Sequence, residues 1–246
     1  MVIMKILKHI YLDKSFLFFL LVIILTGSFN AFIYYFLLLF IHEMGHTIMG
    51  VLLGYKLDKI SFYPYGGITT FNLPINIPLK KELFILIMGP IMQIIGYLVI
   101  CNYYPDIKVF HYSLLLFNLL PIYPLDGGKI INVFLGYFCP YYKCFKMVLV
   151  ISILSFSSTF IYYIIHFNLN ILITLFVVLV KLFKYYNKKN YYYNRFLLER
   201  YLYHQQFKKI SFINNQYSFF RDYFHFIHNH DEKKYLENFF TKNKII

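Results

Sequence analysis

The 246-residue sequence has no tryptophan, three cysteines and few charged residues, which make up 14% of the chain. Hydrophobic residues account for 59% of it and aromatic residues for 22%. This balance is too apolar for an ordinary soluble domain, and several apolar runs are long enough to cross a bilayer. Cys101, Cys139 and Cys144 form no C-x-x-C pair, which argues against a disulfide framework and against a thiolate metal site.

Acidic residues are scarce: 11 Asp and Glu stand against 24 Lys and Arg, a formal net charge of +13. The basic residues flank the apolar runs, where they are typical of cytoplasmic membrane anchors. No recognition motif accompanies them, so we expect no nucleic-acid partner. Of the basic residues that flank the apolar runs, only Lys108 is predicted to lie on the opposite side of the bilayer from the others. By the positive-inside rule we expect a multi-pass protein of the cell membrane with both termini in the cytoplasm.

The apolar runs predict an all-α membrane protein with about six transmembrane helices. The predicted spans are residues 15–27, 31–53, 83–103, 110–120 (with the run resuming at 130), 147–165 and 169–182. Residues 60–71 have β-favouring side chains on both sides of Gly66-Gly67, which predicts a membrane-associated loop resembling a β-hairpin. We predict a polytopic domain over 1–186. Residues 187–246 are expected to form a short, basic, Tyr-rich cytoplasmic tail or a reduced regulatory domain.

Glu43 is the only charged residue between Lys14 and Lys56, and it lies in an H-E-x-x-H pattern with His42 and His46. Residues four apart share one face of a helix, so the two histidines can hold one zinc ion. The Glu of this pattern can act as a general base. An ionisable group within a bilayer costs about 2.5–3.5 kcal/mol, which indicates a functional site. The alternative is a pair of packed histidines, with Glu43 bonded to a neighbouring helix.

Asp126 is the other acidic residue deep within the apolar segments. A catalytic zinc takes three protein ligands and keeps one position open, and the histidines supply two of the three. Asp126 is the expected third, because it lies in a stretch interrupted by prolines and glycines, and irregular backbone at membrane depth must line protein or a wet cavity. The alternative is an exposed Asp that caps a helix, since Asp before Gly-Gly is also favourable in turns.

Taken together, these motifs resemble the site-2 protease family of intramembrane zinc metalloproteases. The resemblance rests on the H-E-x-x-H pattern, Gly66-Gly67, Gly89-Pro90 and Asn118-x-x-Pro121-x-x-Pro124-Leu125-Asp126-Gly127. Within the family, residues 62–67 and 195–201 resemble the branch of stage IV sporulation protein FB. The resemblance covers residues 10 to 203, and the two metal motifs are its most specific part.

The resemblance implies one zinc ion per chain with three ligands: His42, His46 and Asp126. It implies that Glu43 is the catalytic base and that Asn118 lies near the site, as a polar group for the substrate or the oxyanion. We extend the substrate expectation to Gly66 and Gly67. Family members release membrane-tethered regulators, in the sporulation branch a membrane-associated sigma-factor precursor. That branch usually ends in a nucleotide-sensing domain of the cystathionine-β-synthase type, of which the residues after Lys208 are at best an abbreviated version.

We therefore predict an intramembrane zinc metalloendopeptidase that performs regulated intramembrane proteolysis, with a role in sporulation. Its substrate is expected to be a membrane-tethered protein such as a transcription-factor precursor, cut near the cytoplasmic face. The expected partners are this membrane-associated substrate and the lipid bilayer. Inhibitory membrane partners and the oligomeric state are left open. The alternative is a catalytically inactive relative that binds client proteins, or a metal carrier.

Histidines and tyrosines elsewhere give weaker signals. The pattern His225-x-x-His228-x-His230 is compatible with metal binding, but exposed tail histidines are the favoured interpretation. His111 and His166 fall at the ends of predicted spans and are interpreted as interfacial. The tyrosines between 185 and 203 alternate with Lys and Arg, which favours a helix at the membrane surface.

Overall fold

The computed structural model describes residues 9–63, 66–72, 74–166, 169–203, 207, 209–227 and 230–242. In these ranges the chain is mostly helical and contains two three-stranded sheets. The chain divides into two compact units. The first consists of Met1–Leu73 and Leu83–Leu120, and the second of Pro74–Glu82 and Pro121–Ile246.

In its described residues, the first unit contains four helices that follow the predicted apolar runs, together with one sheet. Its elements are β1 (Ile10–Leu12), α1 (Lys14–Thr26), α2 (Phe29–Leu52), β2 (Leu57–Tyr63), β3 (Gly66–Phe71), α3 (Leu79–Ile100) and α4 (Ile107–Leu119). Helix α3 begins with four residues of the second unit and runs as one helix past Pro90.

The sheet of the first unit has the strand order β1-β2-β3. Strands β2 and β3 are antiparallel and pair Tyr63 with Gly66, which confirms a hairpin within residues 60–71. The predicted position of Gly66 and Gly67 between the strands is wrong, because both glycines belong to β3. Strand β1 runs parallel to β2 and pairs Ile10 with Ile60, an element that the sequence did not indicate. Gly66 has φ +148°, a conformation that L side chains rarely adopt, so a glycine is required there.

The core of the first unit joins the sheet to the helices through large apolar side chains. Its buried members are Phe16, Leu38, Leu39, Ile60, Phe62, Ile107 and Leu114. Phe62, from β2, stacks on Phe40 and meets Phe36 edge to face, with both partners on α2. These contacts hold the hairpin against the helix that carries the H-E-x-x-H pattern.

The part of the second unit that the structure describes contains five helices and the other sheet. Its elements are α5 (Asp126–Gly136), α6 (Tyr141–Ile165), α7 (Leu169–Asn187), α8 (Lys189–Leu202), β4 (Lys209–Ile213), β5 (Tyr223–Ile227), β6 (His230–Asp231) and α9 (Glu232–Lys242). Strand β5 lies between β4, which is parallel to it, and β6, which is antiparallel. The predicted interruption before Asp126 is confirmed, because α4 ends at Leu119 and α5 begins at Asp126.

Three helices in the described ranges are long and apolar enough to cross a membrane: α2, α3 and α6. Helix α4 is apolar but shorter. The predicted first and sixth spans are helical as α1 and α7. The number of six spans and the orientation of the termini stay predictions.

Residues 187–246, predicted as a tail, contain a folded core. Side chains from α8, the sheet and α9 pack together: Tyr193, Phe196, Leu197, Ile213, Phe219, Ile227, Leu236 and Phe240. The same segment holds the start of α3, since the Asp222 carboxylate accepts a hydrogen bond from the Leu79 amide at 3.2 Å. An acceptor at a helix N-terminus satisfies an amide that has no partner within the helix.

Three sequence interpretations are corrected. The all-α description is too narrow, because each unit contains a sheet. His225 is fully buried in β5, so it is not an exposed tail histidine, while the side chains of His228 and His230 lie outside the described residues. His111 is only 3% exposed and stacks on Tyr97, so it is not interfacial.

Candidate metal centre

Helix α2 places His42 and His46 on one face, one turn apart, as their spacing predicts. Both side chains are buried, with 1% and 6% exposed. Their Nε2 atoms lie 3.1 Å apart. The histidine pair is therefore assembled within the first unit by α2 alone.

The other ring nitrogen of each histidine is bonded to a carbonyl oxygen. His46 Nδ1 lies 2.8 Å from the backbone oxygen of Ile85, and His42 Nδ1 lies 3.0 Å from Oε1 of Gln93. A carbonyl oxygen only accepts, so each Nδ1 carries the proton. In a neutral imidazole the lone pair is then on Nε2, which makes the two facing atoms the ligand atoms.

This donor set fits a zinc ion. Two imidazole nitrogens at about 2.0–2.1 Å from one tetrahedral zinc would lie about 3.3 Å apart, close to the observed separation. Without a cation, two facing lone pairs at this distance repel each other. The tautomers and the separation thus favour the metal interpretation over a pair of packed, hydrogen-bonded histidines.

Glycine lets α3 approach the histidine pair. A Cβ atom at Gly89 would overlap the imidazole of His46, and one at Gly45 would overlap the backbone of Met88. The Gly89-Pro90 pair of the sequence resemblance therefore has a local physical reason, which is the space that the His46 ring needs.

Glu43 is 5% exposed and belongs to a separate contact with the hairpin. Thr69 Oγ1 in β3 donates to Glu43 Oε2 at 2.7 Å. A Cβ atom at Gly67 would overlap the Glu43 carboxylate, so only glycine leaves room for it. The base candidate is thus held by the hairpin, whereas the two histidines are held by α3.

Asp126 is the first residue of α5 in the second unit and is 7% exposed. Its carboxylate lies 3.4 Å from Lys129 Nζ. The helix cap is Leu125, and burial of Asp126 does not match the exposed capping residue of the alternative interpretation. A Cβ atom at Gly128 would overlap the backbone of Ile122, which accounts for one glycine of the Asp-Gly-Gly sequence.

His42 and His46 belong to the first unit and Asp126 to the second, and all three side chains are buried. That the three hold one metal ion together stays a prediction. Asn118 lies in the last turn of α4 and is half-buried. Its predicted contact with substrate stays a prediction, as do the substrate contacts of Gly66 and Gly67.

The tail histidine His225 has a different environment. Its Nε2 accepts from the Phe220 amide at 3.0 Å, and its Nδ1 lies 3.2 Å from Glu232 Oε2. Arg200 also pairs with Glu232. Both ring nitrogens of His225 are engaged within the protein, which does not favour it as a metal ligand.

Sequence reasoning missed three groups that contact the site: the Gln93 amide, the Thr69 hydroxyl and the Ile85 carbonyl. Gln93 had a signal, because it is the one amide side chain in the apolar run 83–101. Thr69 and the backbone oxygen had none, since which strand residue meets Glu43 and which carbonyl meets His46 depend on tertiary packing.

The sequence of the chain is similar to a peptidase family and to individual proteins. Residues 30–107 match the sequence profile of Peptidase family M50. The chain is 30% identical over 190 residues to stage IV sporulation protein FB of Bacillus subtilis, covering 72% of this chain and 66% of that protein. It is 35% identical over 158 residues to a zinc metalloprotease of Methanocaldococcus jannaschii, covering 56% of this chain and 46% of that protein.

A solved structure is also similar. The site-2 protease from Methanocaldococcus jannaschii has a TM-score of 0.55 and 26% identity, covering 73% of this chain and 90% of that one. The matched regions span about two thirds of the sporulation protein and less than half of the archaeal zinc metalloprotease.

Proposed function

Because the chain belongs to the site-2 protease family of membrane metalloproteases, we propose that it is an intramembrane zinc endopeptidase that cuts a membrane-tethered protein. The observation that carries the proposal is the pair of Nε2 atoms 3.1 Å apart, next to a buried Glu43. His42, His46 and Asp126 hold the zinc in this proposal. When bound, zinc supplies Lewis acidity, which activates water and polarises a peptide carbonyl.

Glu43 is the general base of the proposed reaction. It follows His42 by one residue, about 100° around α2, so it is not required as a ligand. Its carboxylate takes a proton from the attacking water and then gives a proton to the leaving amine nitrogen, after which the peptide bond is broken. The Thr69 hydroxyl bonds one carboxylate oxygen and holds it in place.

The substrate is proposed to bind as an extended strand along β3. A helical substrate hides its carbonyls in internal hydrogen bonds, so it has to unwind before a bond is cut. Strand β3 lies at one end of the strand order, where an added peptide can pair with it. Because Thr69 and Gly67 of β3 both touch Glu43, a peptide at this edge would have its backbone beside the base.

The biological role proposed is regulated intramembrane proteolysis. A relative of the chain is a sporulation protein by name, which supports this role. A membrane-tethered regulator such as a transcription-factor precursor is the substrate that we propose. The basic residues support a cytoplasmic location for both termini. Reporter fusions after Asn187 and after Asp106 test this topology, with cytoplasm expected for the first and the outside for the second. A cytoplasmic signal after Asp106 would overturn the arrangement.

The function is tested by co-expressing the full chain with candidate single-span membrane proteins, in native form and as Glu43→Gln. We expect a shortened product with the native chain only, and mass spectrometry of the fragments gives the cleavage position. Zinc is measured in the same purified samples and is expected in both. A native chain that contains zinc and binds the client proteins without cutting any of them would instead support the inactive relative.

A further inference from the structure

Gln93 is a fully buried amide in α3, within a run of apolar residues. Burying an amide without hydrogen bonds costs about 1–3 kcal/mol in proteins, so its contacts are expected to be specific. Its Oε1 lies 3.0 Å from His42 Nδ1. Its Nε2 lies 3.1 Å from the backbone oxygen of His111 and 3.4 Å from His111 Nδ1. The amide therefore joins α2 to α4 through hydrogen bonds at both of its ends.

These contacts determine which way the Gln93 amide points. The backbone oxygen of His111 only accepts a hydrogen bond, so the NH₂ group of Gln93 has to face it. The carbonyl end then faces His42, and a carbonyl requires the proton on His42 Nδ1. Gln93 thereby keeps the lone pair of His42 on Nε2, the atom that faces His46.

Gln93 also completes a row along one face of α3. Ile85, Gly89 and Gln93 are four residues apart, and positions with this spacing lie above one another on a helix. The backbone carbonyl of Ile85 accepts from His46, and Gly89 leaves room for the His46 ring. The side chain of Gln93 accepts from His42. Each histidine on α2 thus has one oxygen acceptor on α3. The two acceptors belong to residues eight positions apart on the same face of the helix, with Gly89 midway between them.

We propose that Gln93 is a positioning residue for His42: it fixes the ring orientation and the tautomer that metal binding needs. The proposal rests on the proposed function, since it concerns the same metal centre. The supporting principle is that a group bonded to the distal nitrogen of a histidine ligand orients it, and that losing such a group typically weakens metal binding or activity by about 10–100-fold.

The test measures metal binding by the full chain in detergent. Gln93→Leu removes both hydrogen bonds at similar size. Gln93→Glu keeps an acceptor for His42 Nδ1 and loses only the donor to the backbone oxygen of His111. Leu86→Ala is the matched control, because Leu86 is a buried apolar residue of the same helix. Zinc affinity is obtained by competition with a chromophoric chelator, and the absorption spectrum of the Co²⁺-loaded protein reports the ligand geometry.

We expect Gln93→Leu to bind zinc about 10–100-fold more weakly and to alter the Co²⁺ spectrum. Gln93→Glu is expected to recover most of the affinity, and Leu86→Ala to lower thermal stability with unchanged zinc affinity. Native affinity in Gln93→Leu would overturn the proposal. A folded Gln93→Glu protein that binds as weakly as Gln93→Leu would do the same. A native chain that binds no zinc would contradict the proposed function itself, which separates the two failures.

Discussion

Among the buried histidines of the described residues, the pair His42 and His46 differs from His225 in whether a ring nitrogen stays available to a metal ion. His42 and His46 each donate a hydrogen bond from Nδ1–H to a neutral carbonyl oxygen, and their Nε2 atoms face each other. His225 instead has Nε2 bonded to an amide and Nδ1 beside Glu232, which Arg200 also pairs. Buried histidines alone therefore do not indicate a metal centre.

The distinguishing feature is the chemistry of the groups around each ring. Neutral carbonyl acceptors at Nδ1 leave a ligand atom on each imidazole, and the second histidine presents another donor at 3.1 Å. In the tail, the Arg200 guanidinium and the Glu232 carboxylate compensate each other's charge, and the His225 ring completes their hydrogen bonds. The His42–His46 pair therefore favours binding of a cation, whereas the charges around His225 already compensate each other.

The largest expected effect separates two of the buried acids, Glu43 and Glu232. Loss of a general base costs about 10²–10⁴-fold in rate, so Glu43→Gln should abolish measurable proteolysis while zinc content and client binding persist. The measurement is product formation from a co-expressed client, with zinc determined in the same preparations. Glu232→Gln should still cut, because Glu232 belongs to the ion pair with Arg200 and its loss lowers stability without removing the base. Near-normal cleavage by Glu43→Gln would contradict the assigned base.

The next effect concerns the stability of the tail. Removing one partner of a buried ion pair leaves an uncompensated charge and costs about 3–5 kcal/mol, so Glu232→Leu should strongly destabilise residues 187–246. The double variant Arg200→Met, Glu232→Leu should recover most of the loss, because no charge is then left unpaired. Hydrogen exchange of tail peptides checks both variants. Equal protection in Glu232→Leu and the native chain would show that the pair does not stabilise the fold.

Zinc binding provides a third contrast, between His46 and His225. His46→Ala removes a proposed ligand and should weaken zinc binding by about 100-fold or more, above the usual effect of losing an outer partner. Asp126→Asn should also weaken it. His225→Ala should leave the zinc content unchanged and lower stability instead. Metal analysis after dialysis against a chelator measures all three. Full zinc retention by both His46→Ala and Asp126→Asn would exclude this ligand set.

The helices and the metal motif were predictable from sequence because their signals are local. Each signal lies within a short stretch of sequence: a long apolar run, the four-residue spacing of His42 and His46, or the glycines at 66 and 67. The contacts of Gln93 and Thr69 with α2 join residues 51 and 26 positions apart. No local pattern encodes such pairs.

The sequence left open whether residues 187–246 form a tail or a reduced domain, and it did not locate their core for a related reason. Its core joins α8 to strands and a helix that lie well beyond it in sequence, so the charges and tyrosines looked like a solvated or membrane-surface segment. Arg200 and Glu232 are 32 residues apart, and each is buried because of the other. A charged residue is predicted to be exposed unless its ion-pair partner is known, and that partner can be identified only from the tertiary structure.

The smallest expected effect is the response of the tail to acid. Burial lowers the pKa of His225 from its ordinary value of 6.5. Burial by itself would raise the pKa of Glu232, but hydrogen bonds from His225 and Arg200 bring it below 4.5. For both groups the unfolded chain binds more protons in acid than the folded chain does. The free energy of unfolding should therefore fall as the pH drops below about 6.5, and further below about 4.5.

His225→Gln isolates the imidazole contribution to this pH dependence. One proton taken up only by the unfolded chain changes the free energy of unfolding by at most about 1.4 kcal/mol per pH unit, so the native tail should lose hydrogen-exchange protection gradually between pH 6.5 and 5. His225→Gln removes the imidazole at this position and should lose less over the same interval. His166→Gln is the control, because His166 is exposed and should leave the native slope unchanged. If His225→Gln keeps the native slope, then another group in the second unit titrates in that range, and the neutral, fully bonded state assigned to His225 is wrong.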